Sequence, residues 1–200
     1  MNTHEMVMYG GAFNPPHLDH TGIVSKLLEQ TAEKVIIIPT WRRDDKSYMD
    51  VSDKDRESMI RLATEEFGNR VVIDTTFLYG NMPTTTLNQA KYLENRYNKE
   101  IPQVFGSDVA PKMRWWDETG YVANQLPKVF IARPGYAIPP GIVDNYSELE
   151  YNSFWHSSTR VREEVAKILA SNRESIGVLT DMIHAKVCDF ILQNRLFIPS

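Results

Sequence analysis

Two kinds of apolar pattern alternate along this chain, and the alternation limits the folds open to it more than any other feature. Met6, Val7, Met8 and Tyr9 form a short apolar run that breaks at Gly10-Gly11 and Pro15-Pro16, as a strand does when it enters a turn. From Thr21 to Glu33, Ile23, Val24, Leu27 and Leu28 recur at helical spacing, and Lys34 to Pro39 is then a β-branched run closed by proline. The rhythm repeats. Ser52 or Asp53 can cap a helix carrying Met59, Leu62, Ala63 and Phe67, and Val71 to Ile73 reads as the next strand. A helix from about Thr84 to Asn98 shows Leu87, Ala90, Leu93 and Tyr97, and leads to Val104-Phe105, a strand ended by Gly106. Val129 to Ala132 is a further strand, stopped by Arg133-Pro134-Gly135, and helices from about Ser158 to Ala170 and Thr180 to Asn194 follow. Such alternation predicts an α/β fold, doubly wound, with a mainly parallel sheet and helices on both faces. The stretch from Gly135 to His156 reads as irregular but too short to separate a pair of domains, so one domain over residues 1–200 is expected, helical from about 157 onward.

Composition narrows the function classes. A hydrophobic content of 42% over 200 residues suffices for a sizeable core. The formal charge of −4 offers no basic excess to attract a polyanion, which disfavours nucleic acid as a partner. The longest aliphatic run, Val35 to Ile38, falls far short of the roughly 18 residues of a membrane span, and the first twenty residues hold acids, histidines and prolines rather than a secretion signal. The single cysteine, Cys188, can neither close an intrachain disulfide nor build a thiolate metal site, and reads as a small core residue. A cytoplasmic protein without a membrane partner is expected; assembly into a homo-oligomer stays open.

In doubly wound sheets ligands bind beyond the carboxyl ends of the strands, so the loops after strands carry the chemistry. The first such loop is Gly10-Gly11-Ala12-Phe13-Asn14-Pro15-Pro16-His17-Leu18-Asp19-His20. Two glycines let backbone amides approach an anion, and histidines three residues apart at a helix start face one side. Imidazoles donating to a phosphate there, aided by the positive helix end, can stabilise charge that builds in a transition state. A tight turn with two surface histidines is the plainer alternative, and zinc is disfavoured because no third ligand is evident. Late in the chain, His156-Ser157-Ser158-Thr159-Arg160-Val161-Arg162 opens a helix whose hydroxyls and amides suit a phosphate, with Arg162 one turn on. Ordinary helix capping beside a solvated arginine would look the same.

Taken together, the two motifs resemble those of the nicotinate and nicotinamide mononucleotide adenylyltransferases, members of the nucleotidyltransferase superfamily. Their hallmarks are a Gly-Gly-x-Phe-[Asp/Asn]-Pro-x-His-x-Gly-His loop and a later Ser-Ser-Thr-x-Ile-Arg, similar to residues 10 to 20 and 157 to 162. Pro39 with Lys46 looks like the family's Pro-x6-Lys segment, and Arg56, Met59, Leu62 and Ala63 look like its Arg-x-x-Met-x-x-Leu-Ala helix. Thr86-Leu87 matches the end of a Ser-Tyr-Thr-x-Asp-Thr-Leu motif, Gly106-Ser107-Asp108 with Trp116 matches Gly-x-Asp-x7-Trp, and Arg133-Pro134-Gly135 matches an Arg-x-Gly turn. Val187 to Phe197 is similar to the family's last helix.

The resemblance implies a Rossmann-like nucleotidyltransferase fold and adenylyl transfer from ATP, with magnesium, to nicotinamide and/or nicotinate mononucleotide. It implies that His17 and His20 hold the α-phosphate, that Ser157, Ser158, Thr159 and Arg162 bind the departing phosphates, and that His17, His20 and Arg162 are the catalytic set. Gly10, Gly11, Phe13 and Gly106 would shape the ATP groove, and Asp108 would accept from the ribose hydroxyls. Asn14, Lys46, Thr86, Trp116 and Arg133 fall on the mononucleotide side, with Trp116 the stacking partner of the pyridine ring and Trp115 expected to pack. No residues of the chain are assigned to a metal. Three departures stand out: Asp19 replaces the glycine of His-x-Gly-His, Asp44-Asp45 replaces the Pro-His before lysine, and Asn81-Met82-Pro83 replaces Ser-Tyr-Thr. Pro83 lacks the backbone donor that acid-specific members offer a nicotinate carboxylate, which inclines the expectation toward the amide. A pantetheine-phosphate adenylyltransferase and a non-catalytic nucleotide sensor are the alternatives.

Overall fold

A computed structural model describes residues 4–40, 51–80, 82–152, 156–171 and 176–197. Six strands, β1 (His4–Gly11), β2 (Ala32–Pro39), β3 (Val71–Ile73), β4 (Gln103–Gly106), β5 (Lys128–Ile131) and β6 (Tyr146–Leu149), form one sheet in the order β3-β2-β1-β4-β5-β6. Every pairing is parallel. The helices are α1 (Leu18–Gln30), α2 (Asp53–Thr64), α3 (Thr86–Tyr97), α4 (Tyr121–Asn124), α5 (Ser158–Ser171), α6 (Ile176–Thr180) and α7 (Ala185–Gln193), with 3-10 turns at Glu65–Arg70 and Ser107–Trp115.

Because side chains alternate across a strand, the central strands bury both faces and divide their residues between two cores. Val7, Val35 and Ile37 point to one side, where they meet Val24, Leu27 and Leu28 of α1 and Ile60 of α2. Met8, Ile36 and Ile38 point to the other, against Leu93 of α3, Phe77 and Ile101. The late helices make a third cluster on α2: Val161, Val165, Leu179, Ile183, Val187 and Ile191 pack with Met59 and Ala63, and Cys188 is buried among them.

Several expectations move by three residues or more. The first helix begins at Leu18, not near Thr21, so both motif histidines belong to its start. Phe67 falls in the 3-10 turn after α2 rather than in the helix. The expected helix from Thr180 to Asn194 is broken, because residues 181–184 leave helical geometry: the Met182 carbonyl accepts the N–H of Leu18 at 2.9 Å, and Thr21 Oγ1 lies 3.0 Å from His184 Nε2. Those two contacts anchor the C-terminal helices to the start of α1. The stretch read as irregular contains β6, which adds a sixth parallel strand at the sheet edge.

The chain winds outward from β1 to β3 on one side, then crosses to β4 and winds to β6 on the other. The switch between β1 and β4 leaves a crevice beyond their carboxyl ends, where crossover connections diverge.

Candidate active site

The crevice holds a cavity of about 1130 Å³, lined from the β1–α1 loop by Phe13, Asn14, His17, Asp19 and His20, and from the other wall by Arg133, Tyr151, His156, Ser157, Ser158, Thr159 and Arg162. This is larger than a site for one drug-sized ligand usually needs.

The β1–α1 loop is shaped by its floor. Phe13 is buried with φ at +46°, a left-handed backbone that bulky residues rarely adopt. Its ring meets Tyr9 edge-on at 5.6 Å and lies 4.8 Å from the His20 ring. A Cβ on Gly11 would sit 3.1 Å from that ring, whereas one on Gly10 would meet only ordinary contacts. The Asn14–Pro15 peptide is cis. Beneath the loop, fully buried Arg56 donates through Nε and Nη2 to the Ala12 carbonyl (3.2 and 2.6 Å), through Nη2 to that of Thr40 (2.7 Å), and pairs with Asp53 (3.1 Å). One arginine thus ties the ends of β1 and β2 together, satisfying carbonyls that have left the ladder.

His17 and His20 lie in contact, with ring centroids 3.7 Å apart and planes inclined at 36°. The backbone N–H of His17 donates to Nδ1 of His20 at 3.1 Å, so the neutral His20 ring carries its proton on Nε2. Burial holds His17 down to about pKa 4, the nearby Asp19 carboxylate opposing it, and burial, then the His17 and Arg133 charges, hold His20 well below the usual histidine range. Both rings are therefore neutral near pH 7 in the free protein.

Opposite, Ser157 caps α5, its Oγ accepting the Arg160 N–H at 3.2 Å. Ser158 Oγ donates to the Pro15 carbonyl (2.9 Å), and Arg162 donates to the Asn14 carbonyl (2.7 Å) and to Thr159 Oγ1 (3.2 Å). The two motifs, distant in sequence, are thereby stitched into one cradle. Asp19 adds to the join: Tyr151 donates to its Oδ1 at 3.2 Å and the His156 N–H to its Oδ2 at 2.9 Å.

Gly106 and Asp108 lie at the end of β4, where Asp108 Oδ1 pairs with Nε of Arg133 at 3.2 Å. A Cβ on Gly106 would meet Asp108 at 2.3 Å and Arg133 at 2.7 Å, so this pair needs glycine there. Thr86 begins α3, and the adjacent Leu87 packs in one cluster with Trp116. Of the described residues expected at the site, Gly10, Gly11, Thr86, Gly106, Asp108 and Trp116 do not line the cavity described. Trp116 is half-buried, edge-on to Phe105 at 5.6 Å, while Trp115, expected to pack, is 74% exposed beneath the Arg114 guanidinium. Lys46 and the Asp44-Asp45 departure lie outside the described residues. Tyr151 and Arg56 were not singled out by sequence as site residues; only the family helix motif drew notice to Arg56.

The donors around the cavity are imidazole, hydroxyl, guanidinium and amide, a set that suits a phosphorylated ligand. Among the described residues no group of three His, Cys, Asp or Glu could hold a metal ion, and no helix is long and apolar enough to cross a membrane.

The six-stranded parallel sheet with its switch-point crevice matches the Rossmann-like nucleotidyltransferase fold of solved structures. Residues 8–164 match the cytidylyltransferase-like family, to which the chain belongs. A probable nicotinate-nucleotide adenylyltransferase of Leptospira borgpetersenii is 24% identical over 196 residues, covering 95% of each chain. One of Sulfurimonas denitrificans is 29% identical over 161 residues, covering 80% of this chain and 85% of its own. Nicotinic acid mononucleotide adenylyltransferase of Plasmodium falciparum, solved with NaAD, superposes with a TM-score of 0.79 at 18% identity over 96% of both chains. The same enzyme complexed with APC gives 0.75.

Proposed function

We propose that this protein transfers the adenylyl group of ATP to nicotinate mononucleotide, forming the deamidated dinucleotide and releasing pyrophosphate. The observation that carries this reading is the pair of adjacent imidazoles, His17 and His20, sharing one cavity with Arg162 and the hydroxyls of α5. The acid is chosen over the amide because the relatives bear the nicotinate name, against the inclination from Pro83.

A phosphate oxygen of the mononucleotide attacks the α-phosphorus of ATP; the new P–O bond forms as the bond to the bridging oxygen breaks, and its electron pair leaves with pyrophosphate. The attacking oxygen is already anionic, so the protein supplies alignment and charge stabilisation rather than a nucleophile. The Nε2–H of His20 and the adjacent His17 donate to α-phosphate oxygens, where charge accumulates beside the positive end of α1. Ser157, Ser158, Thr159 and Arg162, with the first amides of α5, hold the β- and γ-phosphates as they depart.

Gly10, Gly11 and Phe13 form the floor, Gly106 lets Asp108 reach the ribose hydroxyls of ATP, and Asn14, Lys46, Thr86, Trp116 and Arg133 serve the mononucleotide. Magnesium, brought in on ATP, would neutralise triphosphate charge, and no residue of the chain is assigned to it. The single cysteine and the absence of a basic excess support a cytoplasmic enzyme acting on small nucleotides.

The test is pyrophosphate release with ATP and magnesium, run in parallel with nicotinate mononucleotide, nicotinamide mononucleotide and phosphopantetheine. A kcat/KM highest for the acid is expected. Release with phosphopantetheine alone, or ATP binding without release, overturns the assignment.

A further inference from the structure

Asp19 occupies the one position of the first loop that departs from the family motif, which has glycine there, and the structure shows where its charge goes. The carboxylate is 5% exposed, within the first turn of α1, between His17 and His20. A buried carboxylate is costly unless its oxygens are hydrogen-bonded. Here each oxygen accepts from the opposite wall: Oδ1 from the Tyr151 hydroxyl at 3.2 Å, Oδ2 from the His156 amide at 2.9 Å. A second, independent feature fits this arrangement. Tyr151 lies over Gly22, one turn further along α1, and a Cβ there would stand 2.2 Å from the hydroxyl oxygen and 3.0 Å from Cζ. The helix thus leaves room for the phenol at one turn and receives its proton at the previous one.

His156 immediately precedes Ser157, the cap of α5. Fixing its amide therefore fixes the entry of the helix whose first turn carries Ser158, Thr159 and Arg162. We infer that Asp19 is a positioning residue: with Tyr151 and Gly22 it locks the α5 N-terminus against the His17–His20 turn, setting the distance between the two halves of the phosphate cradle. The inference rests on the reading above that α5 receives the β- and γ-phosphates. Asp19 touches no phosphate itself. Its negative charge, facing His17 on one side and the α5 entry on the other, is spent on the clamp.

Asp19→Asn keeps the shape but cannot accept at both oxygens, and Tyr151→Phe removes the other donor alone. Both variants, checked for folding by circular dichroism, are compared with wild type in three measurements. The His156 amide is expected to be protected from hydrogen exchange in the free wild-type protein and to exchange at least about tenfold faster in Asp19→Asn. ATP affinity by calorimetry is expected to fall about 3- to 10-fold in each variant, with the mononucleotide KM within twofold of wild type. The double variant is expected to lose little more than Asp19→Asn alone, because the two groups act as a unit. Unchanged His156 exchange, unchanged ATP affinity, or equal rises in both KM values overturn the clamp. If wild type fails to bind ATP while His156 exchange responds as expected, the substrate reading fails and the clamp geometry stands. Should Asp19→Asn not fold, Tyr151→Phe carries the same comparison.

Discussion

His20 accepts the backbone N–H of His17 through Nδ1, at 3.1 Å, while the two ring centroids lie 3.7 Å apart with their planes inclined at 36°. One contact therefore fixes the helix start, the tautomer of His20 and the direction of its remaining proton. An imidazole held neutral in this way donates a hydrogen bond without bringing a full charge, and can take one up as phosphates arrive.

Replacing His20 by alanine is expected to lower kcat about 10²- to 10³-fold while leaving the circular dichroism spectrum unchanged. Steady-state pyrophosphate release measures the loss. A near-normal rate would remove the imidazole pair from the chemistry.

The same burial makes stability fall with acidity. His17 is held down to about 4 from an ordinary 6.5, so between those values the unfolded chain binds a proton that the folded one refuses. Stability contributed by keeping the ring neutral is complete above about pH 6.5 and is lost progressively down to about pH 4, by roughly 3 kcal/mol for this residue, with His20 acting in the same direction. Urea titrations at pH 7.5, 6 and 5 test the slope. ATP, by favouring the protonated rings, is expected to bind with proton uptake near pH 5 to 6, seen as buffer-dependent binding enthalpy.

Arg162→Lys is expected to raise the ATP KM about tenfold, since an ammonium cannot span both the Asn14 carbonyl and a phosphate as the guanidinium fork does. Kinetics with varied ATP at saturating mononucleotide would show it. An unchanged KM would detach Arg162 from the phosphates.

Arg56→Met is expected to cost about 3 kcal/mol or more, because it strands the carbonyls of Ala12 and Thr40 and leaves Asp53 without its cation. The denaturation midpoint reports this directly. A loss below about 1 kcal/mol would mean that the strand ends hold without it.

Trp116→Ala is expected to raise the mononucleotide KM about tenfold with little effect on the ATP KM. Trp115→Ala, which removes an exposed ring, is expected to change neither. The reverse result would assign the stacking role to Trp115.

Strands that bury both faces announce themselves as continuous apolar runs, and β2, with Val35 to Ile38, could be read without a structure. Strand β6 could not: only Leu149 of Tyr-Ser-Glu-Leu is buried, because an edge strand needs few apolar residues to pair. The apolar period across Thr180 to Asn194 suggested one helix, yet the carbonyl of Met182 is claimed by Leu18, a tertiary bond that no local pattern encodes. In the site, the histidines and the α5 hydroxyls were visible because glycines, strand and helix start coincide within a few residues. Tyr151 was invisible for the opposite reason. Its partner is 132 residues away, and its place depends on an atom that Gly22 lacks.

The bonds from Ser158 to Pro15 and from Arg162 to Asn14 join the opening loop to a helix that begins more than three-quarters of the way along the chain. During synthesis the first wall of the cradle emerges early and must wait for the second, so no nascent fragment short of α5 holds the complete set of phosphate ligands. Competence arrives late and all at once, with the long-range contacts that also make such topologies slow to fold.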